Sequence, residues 1–380
     1  MKIVIAIDSF KGCMSSIEAG LAVRDGILRV YPDADIIVKP LADGGEGTTE
    51  ALAEGLGGEL VTVDVSGPMQ IATCATYGIV PGTKLAIIEM AAAAGITLVN
   101  TDERNPWKAS TFGVGEMILD AINRGCRDFV IGIGGSATND AGLGMLTALG
   151  FEFLDANGDK VGIAADSLRK IQTINIGKAH PALSNCKFHV ACDVNNPLFG
   201  ENGATYIFGP QKGVTKEDRV VLDADIRHFA SVTSATLNND YSEYSGAGAA
   251  GGIGYAFLSY LGGSLSPGVE LILDALDIEE DMIDADFVVT GEGRLDSQTA
   301  MGKAPIGVAK LAKRHRATVI GLAGAVTEDA DKCNENGIDA YFSILQEVST
   351  FEEAVDKNNA MRNMAITTEQ IFRLINASKN

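Results

Sequence analysis

The sequence predicts an α/β protein of two α/β domains: a doubly wound, flavodoxin- or Rossmann-like parallel-sheet domain, with a second, mixed α/β domain inserted into it. Three observations predict this. The chain opens with a βαβα order, a series of strands punctuated by Gly and Pro then interrupts it, and the βα rhythm returns toward the C-terminal end.

Ile3 to Ile7 is a continuous apolar run, the pattern of a strand buried on both faces. Ser15 and Glu18 form a capping-box pattern ahead of a helix whose Ile17, Leu21 and Leu28 share one face. Asp35 to Leu41 reads as the second strand and Gly47 to Leu56 as the second helix, ended by Gly57 and Gly58. Leu60 to Val65, Ala72 to Val80 and Leu85 to Met90 then read as a meander with Gly-Pro and Pro-Gly turns. A helix from Thr111 to Arg124 stops at Gly125, Phe129 to Ile133 is a strand, and a helix follows from about Asn139 to Leu149. Phe151 to Val161 is expected to be a hairpin turning at Asn157-Gly158. Phe188 to Cys192 is a short strand, and residues 218 to 236 form a helix with Leu222, Ile226, Phe229 and Ala230 on one face. Phe287 to Thr290, Thr318 to Ala323 and Ala340 to Ile344 are strands, Pro305 opens a helix, and Phe351 to Ala377 is a final amphipathic helix. The doubly wound domain is therefore assigned residues 1–60 and 281–380, with strands near 3, 36, 287, 319 and 341, and the inserted domain residues 61–280.

Composition narrows the function. The 380 residues are 46% hydrophobic and 21% charged, ordinary for a folded protein, and carry a net charge of −20. No block of Lys and Arg exists to replace the counterions of nucleic acid or to meet an anionic membrane, so both are excluded as partners. An anionic substrate would need local basic residues. The six cysteines show no Cys-x-x-Cys pair and read as free thiols in a reducing compartment. Met1 to Asp8 is too short for a signal-peptide core and no apolar run reaches membrane-spanning length, so a cytoplasmic protein is expected. A homo-oligomer is compatible with this composition.

In an open parallel sheet, ligands bind beyond the carboxyl ends of the strands. Four acids stand at such ends: Asp8 in Asp-Ser-Phe-Lys-Gly, Asp43 in Ala-Asp-Gly-Gly-Glu-Gly-Thr, Asp193 in Cys-Asp-Val-Asn-Asn-Pro-Leu and Glu292 in Thr-Gly-Glu-Gly-Arg-Leu-Asp. Asp is a common turn former, but four acids at four strand ends also suit Mg²⁺, which takes one or two carboxylates plus phosphate oxygens and water. Lys11, Lys212, Arg294 and Lys303 each adjoin a glycine, in turns where backbone approaches a ligand closely. They are solvated loop residues or the cations that hold a carboxylate or phosphates. Gly132-Ile-Gly-Gly-Ser-Ala-Thr-Asn-Asp140 joins a strand to a helix, and its N–H groups and helix N-terminus would suit an anion. Gly246 to Gly254 contains a literal G-x-G-x-x-G, but it does not follow a buried strand, and close backbone packing explains it equally. No G-x-x-x-x-G-K-[ST] and no protein-kinase signature occurs. None of the four histidines has metal-ligand spacing.

These motifs, with Phe208-Gly-Pro-Gln-Lys-Gly213, Gly246-Ala-Gly-Ala-Ala-Gly-Gly252 and Thr290-Gly-Glu-Gly-Arg-Leu-Asp296, occur in the order seen in the type-1 glycerate kinases, and the chain resembles that family over most of its length. Two positions depart from the pattern: Ile7 stands where the family usually has proline, and Ala141 where it often has glycine. The resemblance implies phosphoryl transfer from ATP, with Mg²⁺, to a hydroxyl of D-glycerate, with 2-phosphoglycerate favoured over 3-phosphoglycerate. Residue roles come from the chemistry of the residues themselves. Asp193 or Asp8 would accept or orient the hydroxyl proton, with Lys303 or Lys212 at the transferred phosphoryl. Lys11, Ser9, Asp43 and Arg294 would bind glycerate, Glu292 and Asp296 would hold Mg²⁺, and Gly134, Gly135, Ser136, Ala137 and Thr138, with Lys212, would cradle the phosphates.

Two other readings compete. An NAD(P)-dependent hydroxy-acid oxidoreductase would use the glycine clusters, but its ribose-binding acid would have to be Asp155, in the expected hairpin. A non-catalytic sensor of a small organic acid would use the same basic residues but gains nothing from acids at strand ends. Binding of NAD(P)H, or turnover that needs ATP and Mg²⁺, separates the three.

Overall fold

The strands run, in chain order, β1 (Lys2–Ile7), β2 (Asp35–Pro40), β3 (Glu59–Ser66), β4 (Ala72–Val80), β5 (Leu85–Glu89), β6 (Asp128–Gly132), β7 (Glu152–Leu154), β8 (Thr173–Asn175), β9 (Lys187–Ala191), β10 (Ser264–Ser266), β11 (Phe287–Leu295), β12 (Thr318–Val326) and β13 (Ala340–Ser343). They come from a computed structural model that describes residues 1–42, 44, 45 and 47–378. The chain divides into two units. Unit 1 comprises Met1–Asp43, Glu50–Leu56 and Ile272–Asn380, and unit 2 comprises Gly44–Thr49 and Gly57–Leu271.

Unit 1 holds one wholly parallel sheet in the order β13-β12-β11-β1-β2. Renumbered within the unit this is 5-4-3-1-2, the flavodoxin-like order, whose direction of winding reverses between β1 and β11. Ile3, Ile5 and Ile7 of β1 are fully buried because helices cover the sheet. Ala19, Val23 and Ile27 of helix Ser16–Leu28 pack in the same core as Met364 and Phe372 of helix Lys357–Ser378. Ser15 and Glu18 close the expected capping box at the first of these helices. The terminal helix is two helices, Phe351–Val355 and Lys357–Ser378, because Asp356 between them is extended (φ −61°, ψ 122°).

Unit 2 holds a mixed sheet in the order β10-β9-β6-β5-β4-β3. The β3-β4-β5 side is the antiparallel meander and the β5-β6-β9-β10 side is parallel. Its core is aromatic at the centre, with Phe129 of β6 stacked on Phe188 of β9 at 4.8 Å between ring centroids. The hairpin from Phe151 to Val161 is present but short: Leu154 and Lys160 form one antiparallel bridge, Val161 N–H donates to Phe153 O and Asp155 N–H to Asp159 O, and β7 also pairs with β8. One expectation is corrected. The helix expected from Asn139 starts at Leu143, because Ala141 (φ 51°) and Gly142 (φ 76°) are left-handed and cannot continue a right-handed helix.

Phe372 is fully buried, edge-on to Tyr31 and Phe287. Phe372→Ala is expected to cost about 3–5 kcal/mol, measured as a lowered urea midpoint with an unchanged m-value.

Candidate active site

In unit 1 the reversal of winding places the ends of β1 and β11 side by side, the position where open α/β sheets bind ligands. Asp8 follows β1. It is buried, its N–H donates to the carbonyl of Gly291 at 2.9 Å, and its Oδ1 accepts the N–H of Ser9 at 2.6 Å. Lys11 is exposed at the tip of this loop, next to Gly12 at φ 75°. Strand β11 runs five residues beyond the expected Thr290, to Leu295, so Glu292 and Arg294 lie on the strand, two residues apart and on one face. The expectation that Arg294 sits in a glycine turn is corrected accordingly.

The acids of β11 and the turn after it form one hydrogen-bonded set. Glu292 Oε1 accepts the Thr299 hydroxyl at 2.7 Å, and Glu292 Oε2 lies 3.8 Å from Lys303 Nζ. Asp296 Oδ1 caps helix Ser297–Ala300, accepting the N–H groups of Gln298 (2.9 Å) and Thr299 (3.1 Å), while Oδ2 lies 3.4 Å from Arg294 Nε. The thiol of Cys333 reports the local field. Burial, and then the charges of Glu292, Asp296, Asp329 and Asp331, push it up to about 11. A cluster this acidic favours a cation. Glu292 and Asp296 are hard oxygen donors of the type Mg²⁺ prefers, so they fit the ion, although among the described residues no group of three or more His, Cys, Asp or Glu is arranged to hold a metal.

In unit 2 the parallel strands present Glu89, Gly132 and, two residues past β9, Asp193 at their carboxyl ends. Asp193 is exposed, and its Oδ1 accepts the N–H of Gly268 at 2.9 Å. The segment from Ile133 to Gly142 follows β6. Its backbone is held by Ala94 and Ile96: Ala137 N–H donates to Ala94 O and Ile96 N–H to Gly135 O. Gly134 and Gly135 are exposed, whereas Ser136, Ala137 and Thr138 are buried. The expected cradle is therefore shorter. Ala137 has no N–H to offer, and the helix that begins at Leu143 does not start at these residues. The N–H groups of Gly134, Gly135 and Ser136 donate to no protein group among the described residues. Gly135 is left-handed at φ 72°, a turn conformation of the kind in which successive N–H groups can meet an anion.

Lys212 is the largest correction. It is neither a solvated loop lysine nor open to a ligand: it is 2% exposed, and its Nζ donates to Ser136 Oγ and to Thr138 O, each at 2.6 Å. Burial drives the ammonium down to about 7, opposed by the charge of Asp140. Asp140 is fully buried and accepts four bonds, from Thr111 N–H (2.9 Å), Thr111 Oγ1 (2.8 Å), Gly142 N–H (3.2 Å) and Gly144 N–H (3.2 Å). Burial still pushes its carboxyl up. The cluster Gly246–Gly254 is packing, not a phosphate turn. A Cβ on Gly251 (φ 74°) would stand 2.0 Å from Thr138 O, so only glycine lets the two backbones meet.

Asp43 lies outside the described residues. The structure brings Asp8 and Ser9 alongside β11, whose acids gather Arg294 and Lys303, and separately joins Gly134–Thr138 to Lys212. Two residues escaped the sequence reading. Glu89 carries the same strand-end signature as Asp8, but was hidden because its strand was read through to Met90. Asp140 was noted only as the end of a motif.

A parallel sheet with acids at its switch point is the arrangement in which open α/β domains bind their ligands. The glycerate kinase family model matches residues 3–376, and the chain belongs to that family. It is 46% identical to "Glycerate 2-kinase" of Escherichia coli K12 over 93% of each chain. It is 44% identical to "Glycerate kinase" of Bacillus subtilis 168 over 100% of this chain and 99% of the relative. The crystal structure of a protein described as glycerate kinase 2, from Salmonella typhimurium LT2, superposes with a TM-score of 0.93 at 43% identity, covering 100% and 99% of the two chains. No helix among the described residues is long and apolar enough to cross a membrane.

The depressed pKa of Lys212 fixes the sign of a stability change. Between its folded value of about 7 and its unfolded value of about 10.4, the unfolded chain binds the extra proton, so stability rises with pH. Wild type is therefore expected to gain up to about 1.4 kcal/mol per pH unit relative to Lys212→Met over that window, measured by urea unfolding at matched pH values.

Proposed function

We propose that this protein transfers the γ-phosphoryl group of ATP to a hydroxyl of D-glycerate, giving ADP and phosphoglycerate, with the 2-position favoured. The observation that carries the reading is the run of three uncommitted N–H groups, Gly134 to Ser136, at a parallel-strand end in a chain that the glycerate kinase family matches almost end to end. Preference for the 2-position is supported by the name of the Escherichia coli relative, "Glycerate 2-kinase".

Catalysis of this class is chiefly positioning and charge stabilisation. The Gly134, Gly135 and Ser136 N–H groups bind phosphate oxygens, and Ala137 and Thr138 support them through their own bonds to Ala94 and Lys212. Lys212 acts from beneath, holding Ser136 and Thr138, and leaves the transferred phosphoryl to Lys303, whose ammonium is partly exposed beside Glu292. Asp193 accepts the proton of the attacking hydroxyl, or orients it, from an exposed position that the Gly268 N–H keeps fixed. Asp8 is the alternative for that role, held in place at the switch point by Ser9 and Gly291. Lys11, Ser9, Asp43 and Arg294 bind glycerate, the two cations offsetting the strongly negative chain. Glu292 and Asp296 would hold Mg²⁺, which when bound supplies charge neutralisation for the phosphates.

The test is a coupled ADP-release assay with D-glycerate, ATP and Mg²⁺, followed by phosphorus NMR of the product. Turnover that needs all three, with a coupling pattern of the 2-phosphate, is the expected result. No turnover with folded protein would contradict the reading. Asp193→Asn keeps an oxygen for the Gly268 N–H but removes the base, so kcat is expected to fall at least ~100-fold while KM changes little. A near-normal kcat would transfer the role to Asp8.

A further inference from the structure

Glu89 stands where three pieces of chain meet in unit 2. It ends β5 in register with Gly132, the last residue of β6 and the start of the segment that carries Gly134 to Ser136. Its Oε1 accepts the N–H of Thr49 at 2.7 Å. Thr49 is the second residue of helix Thr48–Gly55, so this donor is one of those an isolated helix start leaves unsatisfied, and a carboxylate there is favoured. Gly44, five residues earlier, lies at the strand ends. The carbonyl oxygen of Gly44 is 2.9 Å from where a Cβ of Gly132 would stand, and a Cβ on Gly44 would stand 2.9 Å from Gly268 Cα and 3.1 Å from Ala191 Cβ. Gly44 (φ 86°) and Gly47 (φ 91°) are both left-handed. A segment with glycines at 44, 45 and 47 has little backbone stiffness of its own, so its course depends on what holds its ends.

We propose that Glu89 is a positioning residue for glycerate binding: from a rigid strand end it fixes the start of helix Thr48–Gly55, through the N–H of Thr49, and with it Gly44 at the strand ends. This rests on the glycerate kinase reading, in which Asp43, directly before this segment, contacts the substrate. Glu89 touches neither substrate in this role and acts through the segment. The side-chain oxygen is what the role requires, and the negative charge strengthens the bond without being essential to it.

The experiment compares Glu89→Ala with Glu89→Gln in steady-state kinetics, with thermal unfolding of each. Loss of the acceptor in Glu89→Ala is expected to raise KM for D-glycerate at least ~10-fold and leave KM for ATP within about 2-fold. Glu89→Gln keeps an acceptor oxygen and is expected to stay within about 3-fold of wild type in both constants. If both KM values of Glu89→Ala match wild type and only its melting temperature falls, Glu89 is structural and the proposal is overturned. If both variants lose kcat alike at unchanged KM, the charge itself is catalytic and the proposal is also overturned. Should Glu89→Ala fail to fold, Thr49→Pro removes the same donor at a position where a helix tolerates proline, and the same rise in KM for glycerate is expected. Hydrogen exchange at the Thr49 amide separates this from the parent reading. A wild type without glycerate turnover would end the kinase assignment. Exchange no faster in Glu89→Ala than in wild type would end the positioning role whatever the substrate.

Discussion

One buried carboxylate organises the turn after β6 in unit 2. Asp140 takes hydrogen bonds from the start of helix Phe112–Asn123, through Thr111, and from the start of helix Leu143–Ala148, through Gly142 and Gly144. A carboxylate in such a place is costly unless its lone pairs are filled and a cation is near. The four bonds supply the first condition, and Lys212, whose charged form Asp140 favours against the cost of burial, contributes to the second. Lys212 in turn spends its donors on Ser136 and Thr138. The conformation of the Gly134–Ser136 turn, exposed at Gly134 and Gly135, thus depends on charged groups buried beneath it. Removing either group takes away the favourable charge that the other feels, so the pair is expected to tolerate single changes poorly.

Unit 1 solves a different problem. Its site needs several acids close together, and like charges repel. The sheet topology brings the ends of β1 and β11 together, and each acid of the β11 turn has a local partner that absorbs part of its charge. Glu292 has Thr299 and Lys303, and Asp296 has the Ser297–Ala300 helix start and Arg294. A cation entering this cluster would find oxygens already oriented.

The sheet of unit 1 was legible because its strands are short apolar runs separated by helices with capping signals, and both kinds of signal are local. β1 with its capping box at Ser15 is the clearest case. What could not be read depends on distant partners. The turn at Asn157-Gly158 and its short second arm were legible, but the pairing of β7 with β8, a three-residue strand with no pattern of its own, was not. The start of the helix after β6 was misplaced by four residues because Asp140 bends back to its own downstream N–H groups, holding Ala141 left-handed. That also accounts for the family's frequent glycine at this position: alanine here carries backbone strain of about 1–2 kcal/mol. Lys212 looked like a surface lysine in a glycine turn, and nothing in Gln-Lys-Gly announces burial. Of the candidate site, the segments were legible and the division of labour within them was not. Which N–H groups are free, and which lysine is a brace, follow from contacts between residues far apart in sequence.

A crystal structure with D-glycerate, Mg²⁺ and a non-hydrolysable ATP analogue tests most directly whether the Gly134–Ser136 turn receives the phosphates while Lys212 supports it from beneath. Phosphate oxygens are expected within hydrogen-bond distance of the Gly134, Gly135 and Ser136 N–H groups, with Lys212 still bonded to Ser136 and Thr138. Phosphates bound elsewhere, or Lys212 turned out onto the nucleotide, would contradict that arrangement.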